Sequence, residues 1–309
     1  MLSRRHIRLK VMQSLYAFFL KKEDNISKEE DAMIKHMREI SDLNLSIIAL
    51  MIELIKYADD FLENSKNKFF PTEEDLSPNK RFINNKISKK LLTNLALKKE
   101  VLKFSNIWID NDHDVINKLF KDIYISDLYK SYILNEKNDD DIDQRFFINL
   151  LNEFILNHQL VNHLLEEKSI YWIDDLPFVA TMIMSGIKKK ETVVIKNIFK
   201  DSSDKDFALQ LFRNTIKKQL DYKDLIMRFA KNWDIDRIAT MDKILIMMAL
   251  TEITTMNDMP FKVSLNEYIE ISKYYSTPKS RLFVNGILDN AVKSLKLEEK
   301  VNKVGKDLK

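Results

Sequence analysis

Residues 241–295 read MDKILIMMALTEITTMNDMPFKVSLNEYIEISKYYSTPKSRLFVNGILDNAVKSL. Their punctuation decides the fold. Residues 241–253 are apolar almost all round at helical pitch, the pattern of a helix at the centre of a bundle. Thr240 and Asp242 mark its start, and Asn257-Asp258-Met259-Pro260 makes a break after it. Ser264, followed three residues later by Glu267, predicts a capping box in which each side chain satisfies the other's backbone donor. Thr277-Pro278 predicts another helix start, with Pro at the first helical position. The closing helix carries Phe283, Ile287, Ala291 and Leu295 at intervals of four. Gly286 lies inside it at a cost of roughly 1 kcal/mol relative to Ala. Either a close backbone approach or plain tolerance accounts for that glycine.

The rest of the chain agrees with this helical reading. Of 309 residues, 45% are hydrophobic, three are glycine and five are proline. An all-β chain needs more turn residues and a doubly wound α/β chain more glycines. The fold class expected is all-α. Cysteine is absent, which excludes disulfides and thiolate chemistry and suits a reducing cytoplasm.

The chain opens MLSRRHIRLKVMQSLYAFFLKK, with Ile7, Val11, Leu15 and Phe18 in one helical row. Arg4 and Arg8 continue that side, which predicts a helix starting beyond the edge of the core. Three of the ten arginines fall within the first eight residues. Cations in a first helical turn oppose the macrodipole, at about 0.3–1 kcal/mol each when exposed. Arg is the side chain whose fork matches phosphate. The cluster therefore reads as an oxyanion site or as a solvated helix end. The start imitates a signal peptide, but Gln13 interrupts the apolar run and Lys21-Lys22-Glu23 replaces a small-residue cleavage site. Apolar runs near residues 45–55, 178–187 and 244–250 fall short of the ~20 residues that span a bilayer. A soluble, cytoplasmic protein is expected.

Between these ends the periodicity predicts helices over 29–64, 87–104, 114–134 and 144–167. Residues 64–81, with Pro71 and Pro78, read as a loop, and the acidic run 138–143 as a solvated one. Asp174-Asp175 before Pro177 predicts a helix start that carries 178–187 inward. Residues 298–309 read as a frayed tail. Enzyme constellations are missing. Three scattered glycines make no phosphate loop. Asp139-Asp140-Asp141-Ile142-Asp143 has Gln144 where a calcium loop needs Gly. His158 and His163, five apart, diverge on a helix instead of forming a zinc pair. Asp112-His113-Asp114 reads as a solvated loop. No metal or cofactor is implied, and the chain reads as a binder and not an enzyme.

Two separated stretches resemble one family. ALTEI, MPFKVSLNEYIEISK and FVNGILD, together with SRRHIRLKVMQSLYAFFL, closely resemble the last four helices and the first helix of the NusB antitermination factors. The resemblance assigns residues 1–22 and 201–297 to a NusB-like pair of helical bundles. Residues 23–200 are left as an all-helical insertion of unknown role. It implies a non-catalytic RNA-binding factor that holds boxA-type single-stranded RNA of ribosomal transcripts, together with the ribosomal protein NusE and other Nus factors of the elongation complex. On that resemblance Arg4, Arg5 and Arg8 meet the RNA backbone and Tyr16 lies near a base. Lys279, Ser280, Arg281 and Phe283 form a second RNA-facing turn, and Glu252 contacts NusE. Lys279 departs from the acid the family often has there. Phe283, on an apolar stripe, suits core packing as well as stacking. The competing reading is a helical protein-interaction scaffold without RNA binding, suggested by the long insertion.

Overall fold

A computed structural model describes residues 1–21, 25–110, 114–137, 139–191, 194–195, 197–230, 238–256 and 259–297. The described residues form helices and turns without a strand, so the chain is all-α. The readings at Lys22, Asp112-His113, Asn257-Asp258 and the 298–309 tail lie outside them. Contacts divide the chain into two units. Unit one is Met1–Met37 with Phe199–Lys309, and unit two is Arg38–Ile198.

In chain order the helices are α1 (Arg4–Lys21), α2 (Ile26–Ser65), α3 (Glu73–Leu76), α4 (Arg81–Asn84) and α5 (Lys86–Thr93). Then come α6 (Leu95–Ile109), α7 (Val115–Ile125), α8 (Asp127–Ile133) and α9 (Asp140–Asn149). A π-helical segment, Leu150–Ile155, continues α9 and precedes α10 (Gln159–Lys168) and α11 (Ile170–Lys188). The last are α12 (Ser202–Lys217), α13 (Gln219–Phe229), α14 (Thr240–Thr255), α15 (Phe261–Tyr275) and α16 (Pro278–Leu297).

Unit one is built around α14. Ile244, Leu245, Ile246, Met248 and Leu250 are fully buried, and the helix packs against α1, α12, α13, α15 and α16. From α1, Ile7, Val11, Leu15 and Phe18 turn inward as their spacing predicts. Phe18 meets the edge of Phe212 at 6.0 Å. Glu30 in α2 takes a two-pronged bond from Arg213 of α12, at 2.7 and 2.6 Å. Unit one thus extends past residue 22 into α2.

Unit two has an aromatic core. Phe82, Phe120, Phe146 and Phe147 are buried together with Tyr129 and Tyr132. Tyr132 stacks on Phe146 at 3.9 Å, and its hydroxyl donates to Asp143 at 2.8 Å. Trp108 Nε1 donates to the Ser46 carbonyl at 2.8 Å.

Several local expectations are corrected, and among them the 144–167 helix gives way after Asn149 to the π-helical segment and restarts as α10 at Gln159. The 87–104 and 114–134 segments each break in two, because Asn94 and Ser126 adopt extended backbone and cap new helices with their side chains. The acidic run is no free loop: α9 begins at Asp140, capped by Asp139, and Asp143 is buried. Pro177 does not open a helix but lies inside α11, where it removes one backbone donor. With its earlier start, α11 becomes long and apolar enough to cross a membrane by length and composition. Its Trp172, Val179, Ala180 and Ile183 are nonetheless buried in the fold.

Gly286 faces open space: a Cβ built there meets nothing within 4 Å. Tolerance, and not close packing, accounts for it. Gly286→Ala is therefore expected to raise the stability of the isolated chain by up to about 1 kcal/mol, read as a higher urea midpoint at unchanged m-value.

Candidate nucleic-acid interface

The three N-terminal arginines do not point together into solvent. Each meets a carboxylate from a different helix. Arg4 Nε lies 2.8 Å from Asp204 of α12, and its guanidinium rests 4.4 Å over the Phe207 ring. Arg5 donates through Nε and Nη2 to Glu267 of α15, both at 2.8 Å. Arg8 donates to Glu252 of α14 at 2.8 and 2.5 Å. The first turn of α1 has no acid of its own, so other helices supply the charge that its macrodipole leaves wanting.

Arg8 and Glu252 are the inner pair, with side chains 1% and 0% exposed. Glu252 also accepts from Ser264 Oγ at 2.7 Å and from Tyr268 OH at 3.0 Å. An acid on a helix that is apolar all round has to be matched in this way, because an unpaired buried charge is prohibitive. Burial opposes the Arg8 charge, but the bonds to Glu252, with Tyr268 and Glu267 nearby, hold its pKa above the ordinary arginine value. Burial, and then the Glu252 charge, push the Tyr268 hydroxyl well above the usual phenol range. The hydrogen bond from Arg5 holds the Glu267 carboxyl below the usual carboxylate range.

Several expectations change here. Arg8 is enclosed and cannot meet a phosphate in this geometry, and Glu252 is enclosed and cannot meet a partner protein. The first helix starts at the edge of the core, with Arg4 to His6 exposed or half-buried, and is buried from Ile7 and Arg8. Ser264 and Glu267 form no capping box. α15 starts earlier, at Phe261, and both side chains turn into the arginine cluster instead. Asp204, Phe207, Ser264, Glu267 and Tyr268 went unread as site residues. The signal that could have found them is Glu252 itself, an acid inside an apolar helix, and the Ser264, Glu267, Tyr268 spacing that puts three polar groups on one face.

Other site residues remain accessible. Arg5 is half-exposed and Arg4 about one-third exposed. Tyr16 is 37% exposed. At the start of α16, Lys279 and Arg281 are exposed, while Ser280 and Phe283 are half-buried. Thr277 caps this helix by accepting from the Ser280 amide at 3.2 Å. The Glu270 carboxyl of α15 is held low by its bond to Lys273, with Arg5 and Arg281 acting on it more weakly.

Removing one member of a buried pair costs about 3–5 kcal/mol. Arg8→Ala and Glu252→Ala should each lose that much in urea unfolding, while Arg4→Ala should lose under about 1 kcal/mol. Because Glu267 is depressed in the fold, its contribution is present above its unfolded pKa and is lost as pH falls through its lower folded value. Stability should therefore fall on acidification below about pH 4.5, and more shallowly in Arg5→Gln, as acid titrations of the melting temperature would show.

The NusB family profile matches residues 179–293. A Salinibacter ruber protein named transcription antitermination protein NusB is 44% identical over 108 residues, covering 35% of this chain and 68% of that protein. Proteins of the same name from Chloroherpeton thalassium and Thermodesulfovibrio yellowstonii are 37% and 41% identical, over 57% and 66% of their lengths and 39% and 32% of this chain. No solved structure matches the chain. Helices α14 and α15, which carry Glu252, Ser264, Glu267 and Tyr268, lie within the matched span. The chain belongs to the NusB family.

Proposed function

We propose that this chain is a cytoplasmic transcription antitermination factor that holds boxA-type single-stranded RNA together with NusE, within an elongation complex containing other Nus factors. The observation that carries this reading is the exposed basic start of α16, Lys279 and Arg281, inside the span that matches the family. Single strands are held by a basic track with aromatic platforms, at about 1–3 kcal/mol per stacked base. Lys279, Ser280 and Arg281 supply donors there, and Phe283 and Tyr16 supply rings. Arg4 and Arg5 join the track only where phosphate competes with Asp204 and Glu267, so they contribute less than their number suggests. Arg8 acts as a positioning residue, holding α1 against α14. The domain division that goes with this reading is a NusB-like core of residues 1–22 and 201–297 around a helical insertion.

The second reading, a protein-interaction scaffold without RNA binding, is favoured by one observation: all three N-terminal arginines are already paired within the chain. Titration of a boxA-like RNA with and without NusE separates the two. About four neutralised phosphates give a log–log salt slope near −3. Lys279→Glu with Arg281→Glu should weaken RNA binding at least about ten-fold, or 1.4 kcal/mol, with unchanged circular dichroism. NusE capture without measurable RNA affinity would establish the scaffold instead.

A further inference from the structure

We propose that the outer face of α6, in unit two, docks an amphipathic helix with acidic flanks. α6 carries apolar residues on two separate sides. Leu97, Val101, Phe104 and Trp108 form the inward side and are buried. Leu95, Leu102 and Ile109 form the outward side, 75%, 67% and 55% exposed. The outward three are seven residues apart. On a straight α-helix that spacing drifts only about 20° per step, so they make one stripe with contacts every ~10.5 Å. This is half of a heptad seam, the surface a partner helix covers by knobs-into-holes packing.

Isolated apolar side chains at a surface are ordinary, whereas three aligned on one helix face make a row that a partner helix can cover. The helix is regular up to that face, since Asn94 caps its start by accepting from the Leu97 amide at 3.1 Å. Charge selects the occupant. Lys98 flanks the stripe on one side and Lys99 and Lys103 on the other, against one acid, Glu100. Lys103 also lies 3.6 Å from Asp42, while Lys98 and Lys99 are exposed. A second copy of α6 would bring the same excess of lysine, and a helix flanked by glutamates brings the complement.

The test uses the full chain and two labelled three-heptad peptides, both with Leu at the core positions, one flanked by Glu and the other by Lys. Fluorescence anisotropy should show the Glu-flanked peptide binding at least about ten-fold tighter. Leu102→Glu, or Leu95→Ser should the first variant fold poorly, should abolish that binding. Lys98→Glu with Lys99→Glu should reverse the preference. Equal binding of both peptides, binding of neither, or full retention by the Leu102 variant would overturn the proposal. So would a dimer in sedimentation velocity that the Leu102 variant dissolves, since the face would then belong to a second copy.

Discussion

Unit one depends on a single ion pair shut off from solvent, with side chains 1% and 0% exposed. Arg8 enters from α1, and Glu252 sits on α14, which α1, α12, α13, α15 and α16 all touch. Two charges taken from water to such a place are costly, and their attraction offsets the cost only when the remaining lone pairs are occupied. Ser264 and Tyr268 meet that condition, so α15 is drawn to the same point as α1 and α14. The pair therefore sets the register of three helices more than it adds net stability. Apolar side chains of similar volume would pack there, but they would not dictate which face of α1 turns inward.

Around this pair the chain grades outward. Arg5 and Glu267 are partly wet, and Arg4 and Asp204 lie at the edge, with Phe207 beneath the guanidinium. Exposed ion pairs of this kind contribute modestly and are screened by salt. The gradient gives the cluster two roles in one turn of helix: an inner arginine that anchors, and outer arginines whose partners an anion could replace. The accessible basic groups at the start of α16, Lys279 and Arg281, need no such exchange.

Much of this architecture was legible in the sequence. The central helix, the first helix and the 40-residue α2 follow from periodicity, because long apolar rows leave one answer. The family assignment followed from short segments that keep both spacing and order. Short helices were missed where one polar residue, Asn94 or Ser126, interrupts a continuous apolar row, since capping geometry competes with pattern there. Pro177 misled for a related reason: proline at a helix start and proline inside a helix look alike until the preceding turn is known. The arginine cluster was misread because its acids lie on other helices, some 200 residues or more away, and linear spacing carries no sign of such partners. Ser264 and Glu267 had the right separation for a cap and were used for something else.

That separation has a consequence for how the chain comes off the ribosome. Arg8 and Glu252 are 244 residues apart in sequence, with the whole of unit two between them. At roughly 5–20 residues per second, the nascent first helix waits on the order of 10–50 s for its counterion. Until then it presents an apolar row and arginines whose acids, Asp204, Glu252 and Glu267, are made much later. Unit two, whose aromatic core draws only on its own stretch of chain, can close meanwhile. The first helix, made before unit two, is among the last parts to find its place.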